Sequence, residues 1–159
     1  MATPSLYRAL PAARRVALLT KLFAERKETR AHFVARMAKR GGFRPQVLIL
    51  WPPAKLAQEV VRMNAQTADD ELDLLQTLYV DVEPQIQADF LAAAGVQAEG
   101  AVIPEGLEPP YATAEGVAKG AAAIRAKHGV DGEHYLRVIA RYNAAAWPGV
   151  EGIVESLGA

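Results

Sequence analysis

A chain of 159 residues, 51% hydrophobic and 23% charged, has the length and composition of an ordinary globular domain able to bury its own core. It contains no cysteine, which excludes disulfides, zinc–thiolate and iron–sulfur sites and a cysteine nucleophile, and fits a reducing, cytoplasmic setting. The net charge is zero but divided along the chain: residues 1–44 carry 11 Lys/Arg against Glu25 and Glu28, a net of +9, and residues 45–159 carry 7 against 16 acids, a net of −9.

No apolar run approaches the roughly 20 residues that span a bilayer. Arg8, Arg14 and Arg15 interrupt any secretory apolar segment. The first 24 residues, with four basic side chains and no acid, loosely resemble a transit peptide. The apolar pattern nevertheless continues past them, and we read them as part of the fold.

In chain order, Pro4 and Ser5 start a short turn, and Pro11 opens a longer helix. Val16, Leu19, Leu22 and Phe23 recur at helical spacing, the stretch 25–30 is polar all round, and Phe33, Val34 and Met37 resume the stripe. This is one long helix, or two broken near Thr29, ended by Gly41 and Gly42. The run Val47-Leu48-Ile49-Leu50-Trp51 follows Pro45 and meets Pro52 and Pro53. Prolines on both sides argue against a central strand, and no convincing partner strand exists. The run is expected to be a buried corner between two helices. Pro53 opens the next helix, with Leu56, Val60 and Met63 inward. Thr67 and Asp70 form a capping-box-like pair before another helix. Leu72, Leu75, Tyr79, Val82, Ile86 and Phe90 then continue a stripe through Pro84. That predicts one helix of about 27 residues kinked near Pro84, or two helices with Pro84 first in the second. The segment 95–112 holds three glycines and three prolines and reads as a packed or functional loop. Thr113 to His128 is a small-residue helix stopped by Gly129. Asp131 starts the last main helix, with Tyr135, Val138, Ile139, Tyr142 and Ala146 on its apolar face. A short turn follows Pro148. The expected fold is all-α: a single-domain bundle of five to seven helices over 1–159, with a basic helical arm (1–44) and an acidic helical body (45–159).

Few motifs carry chemistry. Asp69-Asp70-Glu71-Leu72-Asp73 resembles the DDxxD spacing with which isoprenoid synthases hold Mg²⁺ against a diphosphate. Here the chain looks too short for that fold, no second acidic motif appears, and acids in a first helical turn are stabilised by the macrodipole alone. Asp69, Asp70 and Asp73 are therefore a weak metal alternative, and no metal or cofactor is expected. His32, His128 and His134 form no metal spacing. His128 stands at a helix C-terminus, where cations are favoured. His134, Arg137 and Arg141 line one stripe of the last helix beside Tyr135 and Tyr142, the best candidate contact for a carboxylate or phosphate. The only serines, Ser5 and Ser156, support no triad, and Gly116 and Gly120 lack the strand a phosphate loop requires. The arm cations Arg14, Arg15, Lys21, Arg26, Lys27, Arg30, Arg36, Lys39, Arg40 and Arg44 spread around their helices rather than along one stripe. The acids that open the helix after Thr67 would repel DNA.

The reading that follows is a non-catalytic protein-interaction or self-association module, cytoplasmic, with a protein partner or a second copy and no membrane. Two alternatives stand beside it: an anion-binding bundle or enzyme with a pocket by the last helix, and nucleic-acid binding through the basic arm.

Overall fold

The computed structural model describes residues 3–158. Among them nine α-helices form and no strand, so the protein is all-α. The count exceeds five to seven because a break at Arg26, a break before Pro84 and several one- or two-turn pieces divide the expected segments. The helices gather into two compact units, Met1–Thr77 and Leu78–Ala159.

The first unit contains α1 (Ala12–Glu25), α2 (Lys27–Gly41), α3 (Pro45–Leu48), α4 (Pro53–Met63) and α5 (Glu71–Thr77). Its main packing is α1 on α4. The buried stripe of α1 is Leu18, Leu19, Leu22 and Phe23, and that of α4 is Leu56, Ala57 and Val60. Each large side chain among these contributes roughly 1.5–3 kcal/mol on burial. The basic arm is thus built into a core. It breaks at Arg26, whose backbone is extended (φ −120°, ψ 94°), and Phe23 meets Phe33 across the break with ring centroids 5.3 Å apart. Thr67 and Asp70 form the predicted capping box, and the Thr67 N–H donates to Asp70 Oδ2 at 2.6 Å. The N-terminal turn is tied down by Glu71, which is only 6% exposed. Its carboxylate accepts the Ser5 hydroxyl and the N–H groups of Leu6 and Tyr7, both at 3.3 Å.

The second unit starts with a π turn, Leu78–Val82, in which the Glu83 N–H reaches back five residues to the Leu78 carbonyl at 2.7 Å. Proline has no N–H to continue a helix. The wide turn ends, Glu83 leaves the helical region, and Pro84 begins α6 (Pro84–Ala93). The single kinked helix is therefore replaced by its alternative, a restart at Pro84. The helices α7 (Ala114–His128), α8 (Val130–Tyr142) and α9 (Val150–Ser156) complete the unit. Thr113 caps α7 through Oγ1, which accepts from the Gly116 N–H at 3.0 Å, and Gly129 (φ +57°) separates α7 from α8. The core is aromatic. Phe90 lies 5.4 Å from Tyr135 and 5.0 Å from Trp147, ring centre to ring centre, and Tyr135 lies 5.0 Å from Tyr79.

Glycine lets α6, α7 and α8 approach closely. A Cβ on Gly116 would stand 2.5 Å from the Ala94 carbonyl oxygen, and one on Gly120 would stand 2.8 Å from the Phe90 ring. On α8, a Cβ on Gly132 would meet the Ile124 carbonyl oxygen at 2.6 Å. The loop after α6 is packed. Val96 and Ala101 are buried, Gln87 Nε2 donates to the Ala101 carbonyl, and the Tyr111 N–H donates to the Ala146 carbonyl at 3.0 Å.

Candidate functional site

The corner between α3 and α4 departs most from the sequence expectation. Of its apolar run only Leu48 is buried; Val47 is 47% exposed, Ile49 61% and Leu50 82%. The buried corner is corrected to an exposed ridge on a buried anchor. Geometry explains this. α3 is a single turn, and one turn of helix directs only one or two of four consecutive side chains inward. The ridge is held firmly. Arg30 donates through Nη2 to the Ile49 carbonyl at 3.0 Å and also to the Trp51 carbonyl. The Trp51 ring meets Phe43 edge-on, with centroids 5.7 Å apart, and Lys55 Nζ sits 4.3 Å from the Trp51 ring centre. Pro45 and Pro53 stand first in the helices on either side. Between Glu28 and Glu59 the sequence holds six Lys/Arg and no acid, and Lys39, Arg40, Arg44 and Lys55 are exposed.

The other arm cations, together with Arg40, largely serve the fold of the first unit. Arg36 Nη1 donates to Asp70 Oδ2 at 2.7 Å and to the Ala65 carbonyl at 2.9 Å, and its guanidinium lies 4.9 Å from the Phe33 ring centre. Arg26 pairs with Asp73 at 3.5 Å, and Arg40 donates to the Asn64 carbonyl. Arg15 Nε donates to the Leu10 carbonyl and its guanidinium stands over the Tyr7 ring. Arg14 and Lys21 also have partners. Lys27 is exposed.

The same contacts account for the acidic motif. Partial burial works to raise the Asp70 carboxyl, but Arg36 and the Thr67 N–H and hydroxyl outweigh it and hold the group below its ordinary value. Asp70 faces Arg36 and its own cap, Asp73 faces Arg26, and Asp69 is exposed. Among the described residues no three His, Cys, Asp or Glu side chains are placed to hold a metal ion.

On α8 the candidate anion contacts diverge. Tyr135 is fully buried, its hydroxyl donates to Gln87 Oε1 at 3.3 Å, and burial pushes its pKa well up. His134 Nδ1 lies 2.5 Å from the Tyr79 hydroxyl. Arg137 donates to the Gly158 carbonyl at 3.1 Å. Arg141 and Tyr142 are exposed and both have partners.

One polar cluster had no sequence signal. Asp89 of α6 accepts from His128 Nε2 at 2.7 Å and Lys127 Nζ at 3.0 Å, both on α7, and from Gln85. Against the upward push of burial, these donors hold its carboxyl down at about 2. His128 thus stands in the last turn of α7, as expected, and also reaches across to α6. Only the packing register of α6 and α7 brings these residues together.

Comparison with protein-family models, with curated proteins and with solved structures gave no match to this chain.

Proposed function

We propose that the protein is a non-catalytic helical interaction module that engages a protein partner through the ridge of Val47, Ile49 and Leu50. One observation carries the reading: three of four consecutive large apolar side chains stand in solvent on a corner braced by Arg30, Trp51 and Leu48. Scattered single apolar residues are normal on a surface and need no partner. A contiguous ridge rimmed by charge marks an interaction site. A braced ridge also loses little conformational entropy on docking, which favours binding. Two further observations support the reading against its alternatives. Tyr135 and Arg137 are engaged within their own unit, and much of the arm's positive charge is turned onto carbonyls and carboxylates of its own unit.

The test is photo-crosslinking in cells from a benzophenone amino acid replacing Leu50. A discrete adduct is expected, abolished by Ile49→Glu, with none from the same group at exposed Gln58. Absence of a discrete adduct at position 50, or an adduct indifferent to Ile49→Glu, overturns the proposal.

A further inference from the structure

Resting on that reading, we infer that the partner is a second copy of this chain, whose acidic 99–108 loop receives the Val47–Leu50 ridge. The loop mirrors the ridge in kind. Val102 is 57% exposed and Leu107 42%, and they stand among exposed Glu99, Glu105 and Glu108. Between Arg62 and Lys119 the sequence holds 11 acids and no Lys or Arg. The ridge belongs to a stretch with the opposite bias. One surface is apolar with a cationic rim and the other is apolar with an anionic rim, and an apolar centre within a polar rim is the usual anatomy of an interface.

Both surfaces are presented ready-made. The ridge is fixed by its brace. In the loop, Glu99 and Val102 exchange backbone hydrogen bonds at 3.2 and 3.0 Å around Gly100 (φ +59°), and Ala101 is buried beneath them. Val102 is thereby held outward by a short, pinned turn. Opposite rims steer the approach and fix which surface meets which. Like surfaces repel, so ridge-to-ridge pairing brings cations together and is disfavoured. The contact joins two different patches. Either it occurs twice, closing a two-fold pair, or it repeats head to tail.

The experiment is sedimentation of the full chain across concentrations of about 1 to 500 μM, the span suited to a contact of a few apolar side chains. Wild type self-associates, more weakly as salt is raised. Leu50→Glu and, separately, Val102→Glu raise the dissociation constant at least tenfold. Both sites are exposed, so the fold is retained, checked by circular dichroism; Ile49→Asp and Leu107→Glu repeat the test. The decisive step is mixing the two variants. Leu50→Glu retains an intact loop and Val102→Glu an intact ridge, so an equimolar mixture forms a one-to-one pair that neither variant forms alone. A wild type that stays monomeric throughout overturns the inference. So does a loop variant that associates like wild type, or a mixture that stays monomeric. If position 50 then still crosslinks to a chain other than its own, the interaction reading stands and only the choice of partner has failed.

Discussion

Four helical glycines give opposed predictions for the same substitution. Replacing glycine by alanine inside a helix ordinarily stabilises by about 1 kcal/mol, because alanine loses less backbone entropy. Gly152 in α9 has open space where a Cβ would go, with nothing within 4 Å, so Gly152→Ala is expected to show that gain. At Gly116 the new carbon would sit 2.5 Å from the Ala94 carbonyl oxygen, and at Gly132 it would sit 2.6 Å from that of Ile124. Both obstacles are backbone, so the helices themselves must part. At Gly120 the obstacle is the Phe90 ring at 2.8 Å, fully buried and set against Tyr135 and Trp147. Overpacking of this kind costs typically about 1–3 kcal/mol. Subtracting the propensity gain leaves a net loss of about 2 kcal/mol at Gly116 and Gly132 and about 1 kcal/mol at Gly120. The assay is urea unfolding followed by Trp147 fluorescence in a Trp51→Phe background, which leaves one tryptophan, in the second unit. With a slope of about 1 kcal/mol per molar urea, Gly116→Ala lowers the midpoint by roughly 2 M and Gly152→Ala raises it by roughly 1 M. If Gly116→Ala and Gly132→Ala stabilise as Gly152→Ala does, the helices are not held at the distance that makes glycine necessary.

Tyr7 and Asp89 supply two further tests. The Tyr7 hydroxyl is buried with no hydrogen-bond partner among the described residues, and burial chiefly, with Asp70 adding to it and Arg15 opposing, pushes its pKa up to about 12. An unsatisfied buried hydroxyl costs about 1–3 kcal/mol, so Tyr7→Phe should raise the unfolding midpoint of the first unit, read by Trp51 fluorescence in a Trp147→Phe background; a lower midpoint would reveal a partner for that hydroxyl. The Asp89 carboxyl is held at about 2, below its ordinary 3.8, so its stabilising contribution is complete above about pH 4 and is lost as pH falls toward 2. The difference in urea midpoint between wild type and Asp89→Asn should therefore be largest near neutrality and shrink through that window, and a difference independent of pH would remove the cluster from the stability of the second unit.

Much of the fold could be read from the chain because its signals are local. The stripe Leu19, Leu22, Phe23, the Thr67–Asp70 capping box and the caps Thr113 and Gly129 each lie within a few residues of what they organise. The break at Arg26 was legible only as the alternative of two helices broken near Thr29, because no glycine or proline marks it; a polar stretch can stay helical or turn, and tertiary packing decides. The contact of Asp89 with His128 spans 39 residues and depends on how α6 and α7 interlock. The exposed ridge is a different case. Composition alone sends five apolar residues in a row inward. Yet the prolines on both sides already limited the run to a single helical turn, and a single turn cannot bury them all. The signal was present, but it lay in the geometry rather than in the hydropathy.

The charge split acquires a physical meaning from the same contacts. The first unit carries 13 Lys/Arg against 7 acids, a net of +6, and the second 5 against 11, a net of −6. Internal pairs such as Arg36–Asp70 and Lys127–Asp89 join opposite charges within a unit and leave each excess unchanged. A chain that is neutral as a whole meets no long-range repulsion from another copy. Once the two are within about 10 Å, the Debye length at 0.1 M salt, the local surfaces govern, and here they are opposite in sign. In the proposed self-association, net neutrality would permit approach and charge segregation would select the ridge and the loop as the surfaces that meet.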